Sequence, residues 1–226
     1  MIEGLRRNGV EVIECHETLW SGIDDRVQIT SGGWLSPKFW LKVFRAYLNL
    51  LRKYFRIYDY DVMVVGYPGQ FDIFLGRLLS RISGKPLVWD IFMSIYLIAL
   101  ERNLDRKSRL TVAMLRWIES LALRIPDILI QDTSQYVEWF SKNYRIDISR
   151  FAIVPTGADD RVFFPRSTII PNKDTCKILY YGTFIPNHGV GNIITAANLL
   201  RENKDLQFIM IGTGPDLSEA VAMSQD

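Results

Sequence analysis

The feature that most constrains the fold is the alternation of short apolar runs with helical patterns. Runs rich in β-branched residues have the length of buried strands, and they lie at 10–15, 61–66, 86–90, 127–132, 151–155, 177–182 and 206–212. Helical patterns fill most of the intervals, at 37–56, 70–83, 108–124, 134–143 and 190–203. This alternation is typical of a mostly parallel sheet with helices on both faces. We therefore predict an α/β protein built on a Rossmann-like sheet.

The proline-containing segment 155–176 carries neither a helical nor a strand period, and we predict that it connects two α/β domains. The predicted domains are 1–172, including the connector, and 173–226. The chain opens on a segment typical of a helix end, with Gly9 near its C-cap, so the usual first strand is expected to be missing. Residues 177–226 supply too few elements to close a second core, and we expect a poorly stable, catalytically silent chain.

Composition excludes several classes of protein. A content of 48% hydrophobic and 23% charged residues is that of a globular protein. The net charge of +2 is too small to predict a nucleic-acid partner. Two distant cysteines and only two histidines indicate neither a disulfide framework nor a structural metal site. No run reaches the length of about 20 residues that a membrane-spanning helix needs, and the start lacks a signal-peptide pattern, so we predict a cytoplasmic protein.

Two glycine-containing loops follow predicted strands near the end of the chain. The strand that ends at Gly182 leads into a loop over 183–189, and a helix is predicted from Val190. Helix N-termini attract phosphate through free N–H groups, and glycines such as Gly189 allow close approach of the ligand. The segment 212–215, Gly-Thr-Gly-Pro, repeats the arrangement after the next strand. The pattern is compatible with a phosphate site or with ordinary glycine-rich loops.

The motifs "FAIVPTGADDRVFFP", "KILYYGTFIPNHGV" and "FIMIGTGP" follow one another in an order that resembles the domain junction of GT-B fold nucleotide-sugar glycosyltransferases of the family 4 type. The segment "YDYDVMVVGYPGQFDIFLGRLLSRISGKPLVWDIFMSIY" is similar to a branch of these enzymes with a Y-P-G loop and a W/F-D-x-x-x-S segment. The resemblance implies hexosyl transfer, with retention, from a nucleotide-sugar to a glycan or lipid-linked saccharide, as in cell-envelope polysaccharide synthesis. It implies no cofactor and no metal besides the nucleotide-sugar substrate.

The resemblance also implies roles for individual residues. Asp90 and His188 are the implied catalytic residues. The implied donor-binding residues are Gly182, Thr183, His188, Gly189, Gly212, Thr213, Gly214 and Pro215. The implied acceptor-side cleft comprises Tyr67, Pro68, Gly69 and Ser94. The acidic E-x7-E motif of the family is expected beyond Asp226.

Several of these positions depart from the family pattern or carry an alternative interpretation. Many family members have an arginine and a lysine where this chain has Thr183 and His188, so we expect a cationic His188 to face the diphosphate. Asp90 could instead be a helix cap or a loop-stabilising group. The segment 67–69 could be a plain tight turn.

The helix predicted at 37–56 combines a broad apolar face with a basic stripe over residues 38–56 and no acidic residue. It could lie on an anionic membrane, at the inner face of the cell membrane, which suits a lipid-linked acceptor. The alternative, which we favour from the sequence, is a surface helix whose apolar face packs on the sheet.

Two other function classes are weighed against a glycosyltransferase. A nucleotide-binding or scaffold module without transfer activity is the main alternative. A dinucleotide oxidoreductase fits poorly, because no predicted strand is followed by G-x-G-x-x-G with an acidic residue about 20 positions later.

Overall fold

The computed structural model describes residues 1–19, 37–57, 59–102, 104–165 and 175–225. The chain divides into two compact units, Met1–Asp61 and Val62–Asp226. This division precedes the first strand of the main sheet, whereas the predicted domain boundary near residue 172 lies outside the described residues.

The first unit contains two described helices, α1 (Ile2–Arg7) and α2 (Pro37–Tyr54). Helix α1 ends as predicted, because Gly9 follows its C-cap with a φ of +78°, a conformation that glycine adopts readily. Helix α2 matches the prediction within two residues at its end.

The predicted strand at 10–15 is wrong, because residues 10–19 form no strand. They instead contact α2 through polar groups of their own. Lys53 donates to the His16 carbonyl at 2.8 Å and pairs with Glu17 at 2.7 Å, and the Cys15 thiol lies 3.7 Å from the Leu50 carbonyl. An apolar, β-branched run becomes a strand only where another strand pairs with it, and none of the described strands does so here.

The second unit holds a four-stranded parallel sheet in the order β1 (Met63–Val65), β2 (Leu87–Asp90), β3 (Ile128–Gln131) and β4 (Phe151–Ile153). The strands are connected through helices α3 (Asp72–Ser83), α4 (Ile95–Glu101), α5 (Leu104–Lys107), α6 (Arg109–Ala122) and α7 (Ser134–Tyr144). All three neighbouring pairs run parallel, for example with Val65 opposite Trp89. The predicted α/β class with a parallel sheet is confirmed.

The core of this sheet forms around β2 and β3. Trp89, Leu129 and Phe140 are fully buried, and each such side chain stabilises the fold by roughly 1.5–3 kcal/mol. Further fully buried members of the core are Ile73, Leu87, Ile91, Ala122 and Leu123. Because side chains alternate across a strand, residues of β2 and β3 that share a face place their apolar groups in one layer.

A second, two-stranded parallel sheet consists of β5 (Cys176–Tyr181) and β6 (Leu206–Ile211), with α8 (Val190–Leu199) and α9 (Leu217–Met223) beside it. Tyr180 and Met210 pack against a small buried cluster of Phe184, Val190, Ile194 and Ala220. The opposite face exposes Leu179, Tyr181 and Ile211. The prediction that these two strands are buried is wrong, because no residue of either strand is fully buried.

No helix within the described ranges is long and apolar enough to cross a membrane.

Candidate functional site

The carboxyl ends of β1, β2 and β3 bring polar groups to one edge of the sheet. The Tyr67–Gly69 loop follows β1, Asp90 ends β2, and Asp132 comes directly after β3. Because parallel strands point the same way, their carboxyl ends share an edge, which is where open α/β sheets bind ligands. The structure thus brings Tyr67, Pro68, Gly69 and Asp90 together, as the sequence predicts.

The Tyr67–Gly69 loop is packed tightly against β2. The Tyr67–Pro68 peptide bond is cis. Gly69 has a φ of +24°, and a Cβ at this position would lie 2.7 Å from Trp89 Nε1. Packing therefore requires a glycine at this position, which agrees with the alternative that residues 67–69 form a plain tight turn. Tyr67 is partly exposed and makes an edge-to-face contact with Phe92, with ring centroids 5.5 Å apart.

Asp90 is half-buried at the end of β2, and burial raises the pKa of its carboxyl group; the nearby Asp132 carboxylate raises it further. The helix-cap alternative lacks support, because the side chain of Ser94, not Asp90, caps the following helix. Asp132 Oδ2 accepts a hydrogen bond from Thr156 Oγ1 at 3.5 Å. Two carboxylates at one edge favour binding of hydroxyl-bearing or cationic ligands.

Sequence reasoning missed Gln131 and Asp132. Trp89 Nε1, Gln131 Nε2 and Asp132 Oδ1 are buried and have no hydrogen-bond partner within the described part of the chain. Buried polar atoms normally have partners, so these three atoms mark this edge of the sheet as unusual. The available signal was the polar Gln-Asp pair at the end of an otherwise apolar strand.

Ser94 is not where the sequence predicts it, because it lies in the interior rather than on the acceptor-side cleft. Its side chain is only 1% exposed, donates to Glu119 Oε2 at 2.6 Å and accepts from the Leu97 amide at 3.1 Å. Ser94 is thus a buried N-cap of α4. This contact holds the segment after Asp90 in place.

On the second sheet, the loop after β5 leads into α8 with a left-handed Gly189, φ +65°, at the N-cap. No side chain caps this helix. The Asn192 amide already donates to the Gly189 carbonyl at 3.0 Å. The amides of Val190 and Gly191, together with the positive dipole end, are what this helix start offers to an anion.

His188 is exposed in this loop, and its Nδ1 lies 2.7 Å from the Thr183 carbonyl oxygen. Because a carbonyl only accepts, Nδ1 carries the hydrogen and donates. Tyr180 also donates to the Thr183 carbonyl, at 3.1 Å. The outer nitrogen, Nε2, is then an acceptor in neutral histidine and a donor only in the imidazolium ion.

The glycines of the 212–215 loop have a packing role. A Cβ at Gly212 would clash with the Gly182 carbonyl oxygen, and one at Gly214 would lie 2.8 Å from the Phe184 amide nitrogen. The Phe184 amide also donates to the Thr213 carbonyl at 2.9 Å. Thr213 and Pro215 are exposed beside these glycines. The loop thus needs glycine in order to lie against residues 182–184, whether or not it binds a phosphate.

No group of three or more metal-binding side chains is found among the residues that the structure describes. A comparison with protein-family models and one with curated proteins found no match for this chain.

Proposed function

We propose that this chain acts in a nucleotide-sugar-dependent glycosyltransferase, which transfers a hexosyl group to a glycan or lipid-linked saccharide with retention. The observation that carries the proposal is the loop between β5 and α8. It combines an uncapped helix N-terminus, a left-handed Gly189 and a histidine whose inner nitrogen is already hydrogen-bonded. These groups suit a diphosphate, the leaving group of a nucleotide-sugar.

In this proposal the protein acts mainly by stabilising charge. As the anomeric bond breaks, negative charge develops on the diphosphate, and preorganised donors lower the energy of that state. The first amides of α8 and Nε2 of an imidazolium His188 are such donors. The Thr183 carbonyl fixes the His188 ring before the donor binds.

Asp90 is proposed to contact the transferred sugar in the transition state. Its carboxylate is half-buried, and no described side chain is hydrogen-bonded to it. A carboxylate with a raised pKa and no partner can accept a hydroxyl hydrogen bond or hold a proton. Tyr67 and Phe92 form an adjoining aromatic surface that suits a sugar ring of the acceptor.

The lipid-linked form of the acceptor is favoured by α2. No residue of this helix is buried. Trp40, Leu41, Phe44 and Leu48 are exposed beside the basic stripe. A helix with these two exposed faces suits an anionic membrane surface, and we propose that residues 38–56 contact one from the cytoplasmic side.

The main alternative is a nucleotide-binding or scaffold module without transfer activity. It is favoured by the packing role of Gly212 and Gly214. The two functions share the β5–α8 loop but differ at Asp90, which only transfer chemistry requires.

Isothermal calorimetry of the 226-residue chain with uridine, guanosine and adenosine diphosphate sugars, and with NAD, tests the proposal. We expect a sugar nucleotide to bind more tightly than NAD. His188→Gln should weaken binding, because the ring that the Thr183 carbonyl holds in place is lost. His16→Gln, which changes the other histidine of the chain, is the matched control. Tight NAD binding with no response to any sugar nucleotide would contradict the proposal.

A further inference from the structure

A cavity of about 820 Å³ lies at the edge of the main sheet opposite to Asp90. Asp127, directly before β3, lines it, and the Asp127 carboxylate accepts from the amide of Leu87, the first residue of β2. The cavity is therefore at the amino ends of these strands. Its lining consists of Phe74, Arg77, Arg81, Leu121, Arg124, Ile125, Pro126, Asp127 and Arg150.

The charges around this cavity do not balance. Four of the lining residues are arginines, and one, Asp127, is an acid. Arg77 already pairs with Asp127 at 2.8 Å, and its hydrogen bonds hold the pKa of that carboxyl group below its usual value. The charge of Asp127 is thus matched by Arg77, and three guanidinium groups remain.

Two of the remaining arginines are held by backbone oxygens. Arg124 donates to the Tyr144 carbonyl at 2.8 Å, and Arg150 donates to the Pro126 carbonyl. Carbonyl oxygens satisfy hydrogen bonds, but they carry no net charge that would neutralise a guanidinium. Helices α3 and α6 end here, and each helix end supplies only about half a negative charge. Asp147 also acts electrostatically on Arg150, from outside the cavity lining.

The side chain of Arg81 makes no hydrogen bond or ion pair with any of the described residues. It lies in the last turn of α3, so it faces the cavity from a fixed helix while its guanidinium keeps all its donors. The cavity therefore has a positive balance and uncommitted donors. Arginine binds phosphate oxygens in bidentate fashion, which gives both charge and geometry.

The walls of the cavity are apolar. Phe74 and Leu121 line it and are partly exposed. They continue along their helices into further exposed apolar side chains, Leu78 and Ile82 on α3 and Met114 and Trp117 on α6. A ligand whose phosphate lies among the arginines would thus have apolar surface beside it.

We propose that this arginine-lined cavity binds a phosphate-bearing ligand, with the phosphate contacted by Arg81 and Arg150 and any apolar group placed against Phe74 and Leu121. The site is separate from the β5–α8 loop and does not depend on the proposed transfer activity. The same phosphate chemistry occurs in free inorganic phosphate and in a lipid headgroup, and the experiment separates the two.

The test is calorimetric titration of the whole chain with inorganic phosphate and with dihexanoylphosphatidic acid kept below its micelle-forming concentration. We expect binding of at least one probe that weakens with added salt and falls by about tenfold or more in Arg81→Gln, because charge-assisted contacts are the strong ones. Binding of both probes with similar affinity indicates a site for free phosphate. A clear preference for the lipid indicates that Phe74 and Leu121 contribute.

Two controls separate this site from others. Arg201→Gln changes an exposed arginine on another part of the unit and should leave binding unchanged. Because the β5–α8 loop is itself a proposed phosphate site, Arg81→Gln is also compared with the native arginine in the His188→Gln background, where it should weaken binding by the same factor. Since Arg81 is not engaged in the fold, Arg81→Gln should melt like the native chain. Absence of binding by the native chain, or binding that Arg81→Gln does not weaken, would overturn the proposal.

Discussion

Asp90 is the single residue at which transfer chemistry and simple ligand binding make different demands. It is half-buried at the end of β2, and Ser94 rather than Asp90 caps the next helix. We therefore predict that, in a protein that also carries a complete donor domain, Asp90→Ala lowers kcat and kcat/KM together by about 100-fold or more while the melting temperature changes little. Steady-state kinetics with a radiolabelled donor and thermal melting measure the two effects. Early melting with retained activity would instead show a structural role.

Glu119 is the buried acid that the fold depends on most. It is fully buried in α6 and accepts from Ser94 Oγ at 2.6 Å, from the Ile95 amide at 2.7 Å and from the Tyr144 hydroxyl at 2.5 Å. Removing the acceptor leaves several buried donors without a partner, at about 1–3 kcal/mol each. We predict that Glu119→Ala lowers the free energy of unfolding by about 3 kcal/mol, measured by urea denaturation.

The sign of the pH effect at Glu119 follows from its environment. Burial raises the pKa of its carboxyl group above the usual value of 4.5, although the hydrogen bonds from Ser94, Tyr144 and the backbone act in the opposite direction. The folded state then binds the proton more tightly than the unfolded state. Proton binding to Glu119 therefore stabilises the fold fully below pH 4.5, and this stabilisation is lost as the pH rises through the raised pKa. Glu119→Gln should flatten this decline. Glu138→Gln, an exposed position on α7, should leave the decline as it is.

At the scale of the element, helix α2 has two exposed faces of different chemistry. On a helical wheel Trp40, Phe44, Leu48 and Leu41 span about 100°, next to the basic stripe. Residues 10–19 contact the helix through Cys15, His16 and Glu17 and leave these apolar side chains exposed. Such a helix binds membranes through apolar burial together with attraction to anionic lipids.

We predict that the chain co-sediments with phosphatidylglycerol vesicles more than with phosphatidylcholine vesicles. Phe44→Ser should weaken this binding, because Phe44 is 60% exposed and available for insertion. Phe163→Ser, at a phenylalanine that is 57% exposed in the connector, is the matched control. Lys42→Gln should cost about 1 kcal/mol of binding and reduce the dependence on salt. Equal binding to both vesicle types would contradict the prediction.

Comparison of the predicted with the observed helices and strands shows what a sequence can and cannot predict. The amphipathic helices were predicted within a few residues, for example 134–143 against Ser134–Tyr144, because periodicity is a local signal. The run from Ile91 to Leu100 has almost no polar residue to reveal a period, so helix α4 was missed, although Ser94 was present as a cap. The segment 10–15 has strand composition but no partner strand, and pairing is not a local property.

At the candidate site, too, local features could be predicted and contacts between distant residues could not. Asp90 and the 67–69 loop were predicted because strand ends are visible in the sequence. Ser94 was misplaced because its partner Glu119 lies 25 residues away in another helix. The unpartnered atoms of Gln131 and Asp132, and the surplus of arginines at the opposite edge, depend on which groups come together in three dimensions.

At the scale of the whole molecule, the two sheets differ in how fully they are covered. The β2 strand is buried along nearly its whole length, whereas no residue of β5 or β6 is fully buried. The core around the four-stranded sheet also contains more fully buried large side chains than the cluster around Phe184 and Ile194. The free energy of local unfolding increases with the amount of buried apolar contact, so different parts of one chain unfold locally with different free energies.

We predict that hydrogen exchange of the native chain is slowest at the amides of β2 and β3, with β5 and β6 exchanging at least about tenfold faster. Each factor of ten corresponds to about 1.4 kcal/mol of opening free energy, less than the burial of one large apolar side chain. Leu179→Thr, which lowers the apolar surface of the exposed face, should leave the β2 and β3 rates unchanged and reduce any self-association of the chain. Exchange that is uniform across both sheets, together with a single unfolding transition, would show that the two sheets unfold as one cooperative unit and would contradict the prediction.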